Sequence, residues 1–336
     1  MSRVLVTGGA GYIGSHAVFA LLDSGRDVVV LDDVSTGQEA AVPAGVRLYR
    51  GDVADGALVS TILAEEQITA VMHFAASISV PESVSNPGLY YRNNTSATLS
   101  VAEACIAGDV GNFIFSSTAS VYGNPESNPV TEDARKDPVS PYGVSKLMAE
   151  KILEDLSLAH PTFRAVRLRY FNVGGADPAG RTGQRNPKAA GLVKLAVETA
   201  LGKRDTLEIF GDDYDTRDGT CERDYIHVSD LAEAHVAALA YLENGGEGLA
   251  LNCGYGRGYT VLEVVEALEK VLGRSLHKRR APRRPGDPDK YFSDVTRLHA
   301  TLDWAPRHEG LDKILTSALR WAGALNSTAG AGQSER

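Results

Sequence analysis

RVLVTGGAGYIGSH, from Arg3 to His16, is the stretch on which the fold turns. VLVTG (Val4 to Gly8) is a short apolar run that reads as a strand buried on both faces. It runs directly into Gly8, Gly11 and Gly14, and Gly9-x-Gly11-x-x-Gly14 fits the dinucleotide-binding fingerprint. Such glycines allow a tight turn, let backbone approach a pyrophosphate, and bring the next helix close to the strand. SHAVFALLDSG supplies that helix and Gly25 closes it. A glycine pattern alone can be a mere turn; between a strand and a helix it has the context that makes it a nucleotide loop.

The same alternation continues outward. DVVVLDD, AVMHFAA, NFIFSST and RAVRLRYFN read as further buried strands. LVSTILAEEQ, LYYRNNTSATLSVAEACIAG and the segment after Ser140 read as the helices between them. Apolar strands alternating with helices predict an α/β fold: a doubly wound parallel sheet of the Rossmann type, covered on both faces. Residues 1–173 are expected to form this dinucleotide-binding domain. GGADPAGRTGQRNPKAAG then breaks the pattern with Gly, Pro and polar residues. Residues 174–326 are assigned to a smaller C-terminal α/β substrate lobe, some segments of which return to the first domain. Residues 327–336 are expected to be a disordered tail.

Composition narrows the function classes. The chain has 336 residues, 43% hydrophobic and 23% charged, with a net charge of −9. That is an ordinary soluble balance and argues against nucleic acid or an anionic membrane as the partner. Cys105, Cys221 and Cys253 are odd in number and scattered, with no CxxC, so no metal site and no disulfide framework is expected. A strand at the very start leaves no room for a signal peptide, and no apolar run reaches membrane-spanning length. A cytoplasmic protein is expected.

Two places carry chemistry. The second strand ends in Asp32, about twenty residues after the glycines, where a carboxylate takes the adenosine ribose hydroxyls and repels a 2′-phosphate. NAD is therefore the expected cofactor, not NADP. The second place is SPYGVSKLMAEKI, Ser140 to Ile152. Ser140 suits an N-cap and Pro141 the first helical position, which puts Tyr142 in the first turn. Lys146 lies four residues on, on the same face. Read as plain amphipathic helix, the segment would turn Leu147, Ile152 and Leu153 to a core and Lys146, Glu150 and Lys151 to water. Read as chemistry, it pairs a phenol with an acidifying cation. A base working near pH 7 needs the phenol's pKa lowered by about three units, or ~4 kcal/mol. An ammonium at ~4 Å supplies about that much at an effective dielectric of 20.

At this point the sequence resembles the extended short-chain dehydrogenases/reductases, and within them the UDP-glucose 4-epimerase family. TGGAGYIGSH, HFAA, FIFSST-x-SVYG, SPYGVSK, LRYFNVGGADP, IFGDDYDTRDGT, RDYIHVSDLA and APRRPGD carry the resemblance along nearly the whole chain. It implies an NAD-dependent isomerase of galactose and nucleotide-sugar metabolism. UDP-galactose and UDP-glucose would interconvert by transient C4 oxidation, through a 4-keto sugar reduced again on its opposite face. Tyr142 would be the general base, Lys146 its partner at the nicotinamide ribose, and Thr118 the hydroxyl bonded to the sugar's O4. Gly8, Gly11, Tyr12, Ile13, Gly14, Asp32, Asp52, Val53, Phe74, Ala75, Asn93 and Tyr170 would join Tyr142 and Lys146 around NAD. Asn172, Arg223 and Arg284 would hold the UDP-hexose phosphates and Asp287 the uridine ribose. Tyr291 would narrow the sugar pocket against N-acetylhexosamines. The resemblance also implies a homodimer through the Tyr142 helix and the long helix before it.

The sequence departs from the family at two points. Ile78 stands where some members carry Lys, and Gly191 where members usually place Asn or His against the UDP-sugar. Arg181, Arg185 and Lys188 nearby would compensate, or signal a different sugar. Other readings stay open: a 4-epimerase of UDP-glucuronate or of UDP-arabinose/xylose, and a non-catalytic NAD-binding regulator. A 4,6-dehydratase is disfavoured, because Ala119-Ser120 replaces the acidic pair expected after Thr118.

Overall fold

The structure is a computed structural model and describes residues 2–284 and 286–331. The first half alternates strand and helix: β1 (Arg3–Thr7), α1 (Tyr12–Asp23), β2 (Asp27–Asp32), β3 (Arg47–Arg50), α2 (Gly56–Glu65) and β4 (Ala70–His73). Short helices α3 (Val80–Ser85) and α4 (Pro87–Tyr90) lead through a π-helical turn, Tyr91–Ser96, into α5 (Ala97–Ala107). β5 (Asn112–Ser116), α6 (Pro141–Ala159) and β6 (Arg164–Tyr170) complete it. The second half holds β7 (Asn172–Gly174), α7 (Leu192–Ala200), β8 (Leu207–Phe210), β9 (Glu222–His227), α8 (Val228–Glu243) and β10 (Leu249–Cys253). It closes with β11 (Gly258–Thr260), α9 (Val261–Leu272), β12 (Lys278–Ala281), β13 (Lys290–Tyr291), α10 (Thr296–Thr301) and α11 (Leu311–Ala331).

The main sheet has seven parallel strands in the order β3-β2-β1-β4-β5-β6-β10. Strand residues alternate between two cores, as the two-residue period of a strand requires. Val4, Val6, Val28, Val30, Met72 and Ile114 face a core shared with α1 and α8. Leu5, Val29, Leu31, Val71, Phe113 and Phe115 face the core under α2, α5 and α6. The strand order reverses direction between β1 and β4, and ligands of open α/β sheets bind in the crevice at such a switch point. Phe113 is fully buried with its ring 5.6 Å from Phe163 and 5.9 Å from His73. Phe113→Ala is expected to lower the unfolding free energy by about 3–5 kcal/mol. Denaturant unfolding checks this as a lower midpoint at an unchanged m-value.

The second lobe is smaller. β9 is central to a sheet with β7, β11 and β13, while β8 pairs with β12. Its core gathers α7, α9 and α11 through Val197, Val264, Leu268, Ile314 and Leu315. Two segments from this part of the chain, α8 and β10, belong to the first unit: β10 pairs with β6, and α8 shares the core of α1. α11 reaches Ala331, so residues 327–331 of the expected tail are helical, while 332–336 lie outside the described residues.

Candidate active site

The glycine loop is built by backbone contacts that leave no room for side chains. Gly8 has φ +70°, and a Cβ there would lie 2.6 Å from Ala75 N and 2.8 Å from Phe74 C. The HFAA strand end thus closes directly on the loop across the switch point. Gly14 packs so tightly that its Cβ would sit 2.2 Å from the Gly8 carbonyl oxygen. Asp32 is buried at the end of β2, where its carboxylate accepts from Ala10 N (2.9 Å) and Val34 N (2.8 Å). No side chain caps α1 at Gly11, so its first-turn N–H groups present an uncapped positive end. This loop, uncapped helix and strand-end carboxylate fit a dinucleotide's pyrophosphate and ribose. Val53 is buried, Asp52 is exposed with its carboxylate on Ala54 N (2.9 Å), and Ile13 packs on the α1 core. Tyr12 turns its hydroxyl to Gly175 O (2.7 Å), tying α1 to the start of the second lobe. Asn93 lies exposed in the π-helical turn and donates to Ser77 Oγ (3.1 Å).

The Tyr142 helix begins as its residues dictate: the Ser140 hydroxyl accepts from Gly143 N (3.2 Å), and Pro141 takes the first turn. Tyr142 is half-buried and its phenol meets the Thr118 hydroxyl. Burial raises the phenol above its ordinary range, and the Thr118 hydrogen bond works the other way. Lys146 is 2% exposed, donates to the Ser116 carbonyl (2.8 Å) and lies over the Phe115 ring (4.6 Å). Burial lowers Lys146 to about 7. The structure therefore rules out the plain amphipathic reading and corrects one expectation. Lys146 and Glu150 are buried, not turned to water, and of these three charges only Lys151 is exposed. Lys146 also donates to a strand carbonyl, and in this structure burial holds the phenol above its ordinary range where the Tyr–Lys spacing predicts it lowered. Tyr170 joins this cluster through a hydrogen bond between its hydroxyl and Ser116 Oγ.

A second cluster faces the site from the other lobe. Arg223 on β9 pairs with Asp287 at 3.5 Å. Arg284 lies 3.8 Å over the Phe210 ring, and Arg223, Asp287 and Arg284 all lie within electrostatic reach of the Cys221 thiol. Asn172 hydrogen-bonds the Tyr225 phenol at the edge of β9. Tyr291 bridges the halves: its hydroxyl donates to the Ala119 carbonyl, beside Thr118, and its ring packs 5.1 Å from Phe171.

The basic loop before Gly191 lies elsewhere. Arg181 is held by Asp23 and Asp177 (2.8 and 2.7 Å), and Arg185 lies 4.7 Å over Trp321 in a narrow cavity beside Gly11 and Tyr12. Lys188 is exposed. Neither arginine joins the Arg223 cluster. The sequence reading missed Gly37, whose Cβ would meet Ala10 at 2.7 Å, and the supporting residue Glu150, and of the strand-end hydroxyls Ser116, Ser117 and Thr118 it gave a role to Thr118 alone. For Glu150 a signal existed: it stands four residues after Lys146 on the same helical face. Among the described residues, no group of His, Cys, Asp or Glu is placed to hold a metal ion, and no helix is long and apolar enough to cross a membrane.

Residues 4–254 match the model of the NAD dependent epimerase/dehydratase family. The chain is 53% identical over 328 residues to a UDP-glucose 4-epimerase of Azospirillum brasilense, covering 98% of this chain and 94% of that one. Among solved structures, a UDP-glucose 4-epimerase of Brucella ovis in complex with NAD is 42% identical with a TM-score of 0.92, covering 95% of this chain and 98% of the other. One from Stenotrophomonas maltophila, holding NAD and a formylated UDP-arabinopyranose, is 36% identical with a TM-score of 0.94, covering 98% and 100%.

Proposed function

The chain belongs to the NAD dependent epimerase/dehydratase family, and we propose that it is a UDP-glucose 4-epimerase that interconverts UDP-galactose and UDP-glucose. The observation that carries this reading is the convergence of Thr118, Tyr142 and Lys146 beside a dinucleotide loop, facing the Arg223, Asp287 and Arg284 cluster. Bound NAD supplies a reversible hydride acceptor and the positive charge of its nicotinamide.

The chain's residues do the rest. Tyr142 takes the proton of the 4-hydroxyl, with Thr118 aligned to relay it, and returns it at the end of the cycle. Lys146 holds the cofactor's ribose and the phenol's charge, and Tyr170 and Asn93 help to fix cofactor and sugar. Asn172, Arg223 and Arg284 grip the diphosphate, and Asp287 the uridine ribose. Anchoring by the nucleotide lets the 4-keto sugar turn over in place and accept hydrogen on its opposite face. Tyr291, fixed to Ala119, sets the wall beside the sugar and supports hexoses over N-acetylhexosamines. The three buried, unpaired cysteines support a reducing, cytoplasmic setting. Exposed Met148 and Leu158 on α6 support a homodimer through this helix and α5, which the solution mass tests.

The functional test is purified protein with UDP-galactose and no added cofactor. Steady formation of UDP-glucose is expected. Turnover of UDP-glucuronate or UDP-arabinose with UDP-galactose untouched would overturn the hexose assignment, a reading that Gly191 leaves room for, since it presents no side chain at the start of α7. NAD binding without turnover of any nucleotide sugar would return the chain to the regulator class.

A further inference from the structure

Three consecutive residues at the end of β5 engage three residues spaced by one turn on α6. The Ser116 carbonyl accepts from Lys146 Nζ (2.8 Å), the Ser117 hydroxyl donates to Glu150 Oε1 (2.5 Å), and the Thr118 hydroxyl meets the Tyr142 phenol. Tyr142, Lys146 and Glu150 are i, i+4 and i+8 of one helical face. Glu150 is 4% exposed, where an unpaired carboxylate is strongly disfavoured. Its partner is Arg169 on β6, also 4% exposed, whose Nε lies 2.9 Å from Oε1 and Nη2 2.5 Å from Oε2. Arg169 Nη1 donates in turn to the Tyr122 hydroxyl (2.9 Å) and the Glu132 carbonyl (3.2 Å). Buried pairs of this kind rarely stabilise a fold more than apolar residues of the same volume, so stability alone does not explain a carboxylate beneath the lysine.

We propose that Glu150 is a positioning residue for the Tyr142–Lys146 pair, setting the register of α6 on the β5 end and keeping Lys146 a cation. The inference rests on the roles given above to those two residues. Burial drives Lys146 down to about 7 and Glu150 opposes it. The other groups that face Lys146 do not replace that charge. His73 from β4 is pushed to about 3 by burial and is neutral, Phe115 and Ser116 from β5 offer a ring face and a carbonyl, and Tyr142 shares the helix. Glu150 in turn is faced by Ser117, by Arg167 and Arg169 from β6, and by Tyr122 and Lys136. The sign follows. Removing the Glu150 charge lets burial push Lys146 lower, so the cation is lost at lower pH and the alkaline limb of activity moves to acid. Removing the Arg169 charge leaves the carboxylate unneutralised, and the limb moves the other way.

Glu150→Gln and Arg169→Gln break the same ion pair, so a purely structural role shifts neither limb or both alike. In the NAD-bound enzyme, E150Q is expected to lose at least about tenfold in kcat at pH 8 with KM within about twofold, with R169Q displaced to alkaline pH. A 13Cε-lysine NMR titration of the resting protein, with the Lys146 signal assigned by its absence in Lys146→Met, reads the same shifts without turnover. Inactive wild type would remove the functional reading while the titration still judged this one. Identical titrations in wild type and both variants, or displacements in one direction, would overturn the proposal. Should one variant fail to fold, the direction of the other decides. Should both fail, Ser117→Ala, which removes one hydroxyl and leaves the buried Glu150–Arg169 pair intact, is expected to lower kcat and spare KM, and an unchanged kcat overturns the proposal.

Discussion

Tyr142→Phe is expected to lower kcat on UDP-galactose by about 10²- to 10⁴-fold, the range by which positioned general bases contribute. Only one oxygen is removed. The ring keeps its edge contact with Tyr90 at 6.4 Å, and Thr118 keeps a second partner, since its hydroxyl accepts from Ser120 N (3.1 Å) and donates to Ser120 Oγ (3.2 Å). No buried polar group is stranded, so Tm and the amount of bound NAD should match wild type. KM should stay within about threefold, because the lost interaction acts in the transition state. A variant with more than a tenth of wild-type activity would show that another group takes the proton.

The second large effect is expected at Gly14. An added Cβ would lie 2.2 Å from the Gly8 carbonyl oxygen, 2.9 Å from its carbon and 3.0 Å from Gly9 Cα. All three atoms are backbone, so no rotamer relieves the clash and α1 must move off the loop. Gly14→Ala should lose about 1–3 kcal/mol of stability to overpacking. NAD affinity should fall more than tenfold, which is about 1.4 kcal/mol or more. Gly11 is the internal control: its Cβ would meet only Gly8 O, at 3.1 Å. Gly11→Ala should therefore keep most of the stability while weakening NAD, because that Cβ stands at the uncapped end of α1. Calorimetric titration of stripped protein and a thermal melt separate the two effects. Equal NAD affinity in Gly14→Ala and wild type would contradict the loop's assignment.

Much of the first domain was legible because its central strands are buried on both faces. Such strands read as unbroken apolar runs, and VLVT, VVVL, AVMH and FIF all do. β3 was not legible: RLYR is an edge strand, with both arginines exposed and only Leu48 and Tyr49 half-buried. α8 and β10 were hidden for a different reason. Their local patterns are ordinary, and their place against α1 and β6 depends on contacts between distant parts of the chain.

The site divides in the same way. Tyr142 and Lys146 are a spacing, Asp32 a strand end, and the glycines a turn, so local grammar reaches them. Glu150 is a charged residue whose burial depends on Arg169 from the next strand, and helical periodicity alone assigned it to water. The Lys146 contact with the Ser116 carbonyl is equally invisible, because a backbone acceptor leaves no mark in side-chain identity.

The most direct test of the account is UDP-galactose carrying deuterium at C4, turned over in ordinary water with no added NAD. If oxidation and re-reduction occur within one site that holds both sugar and cofactor, deuterium is retained at C4 of the UDP-glucose formed. Loss of the label to solvent would mean that hydrogen leaves C4 as a proton, and would contradict the account at its centre.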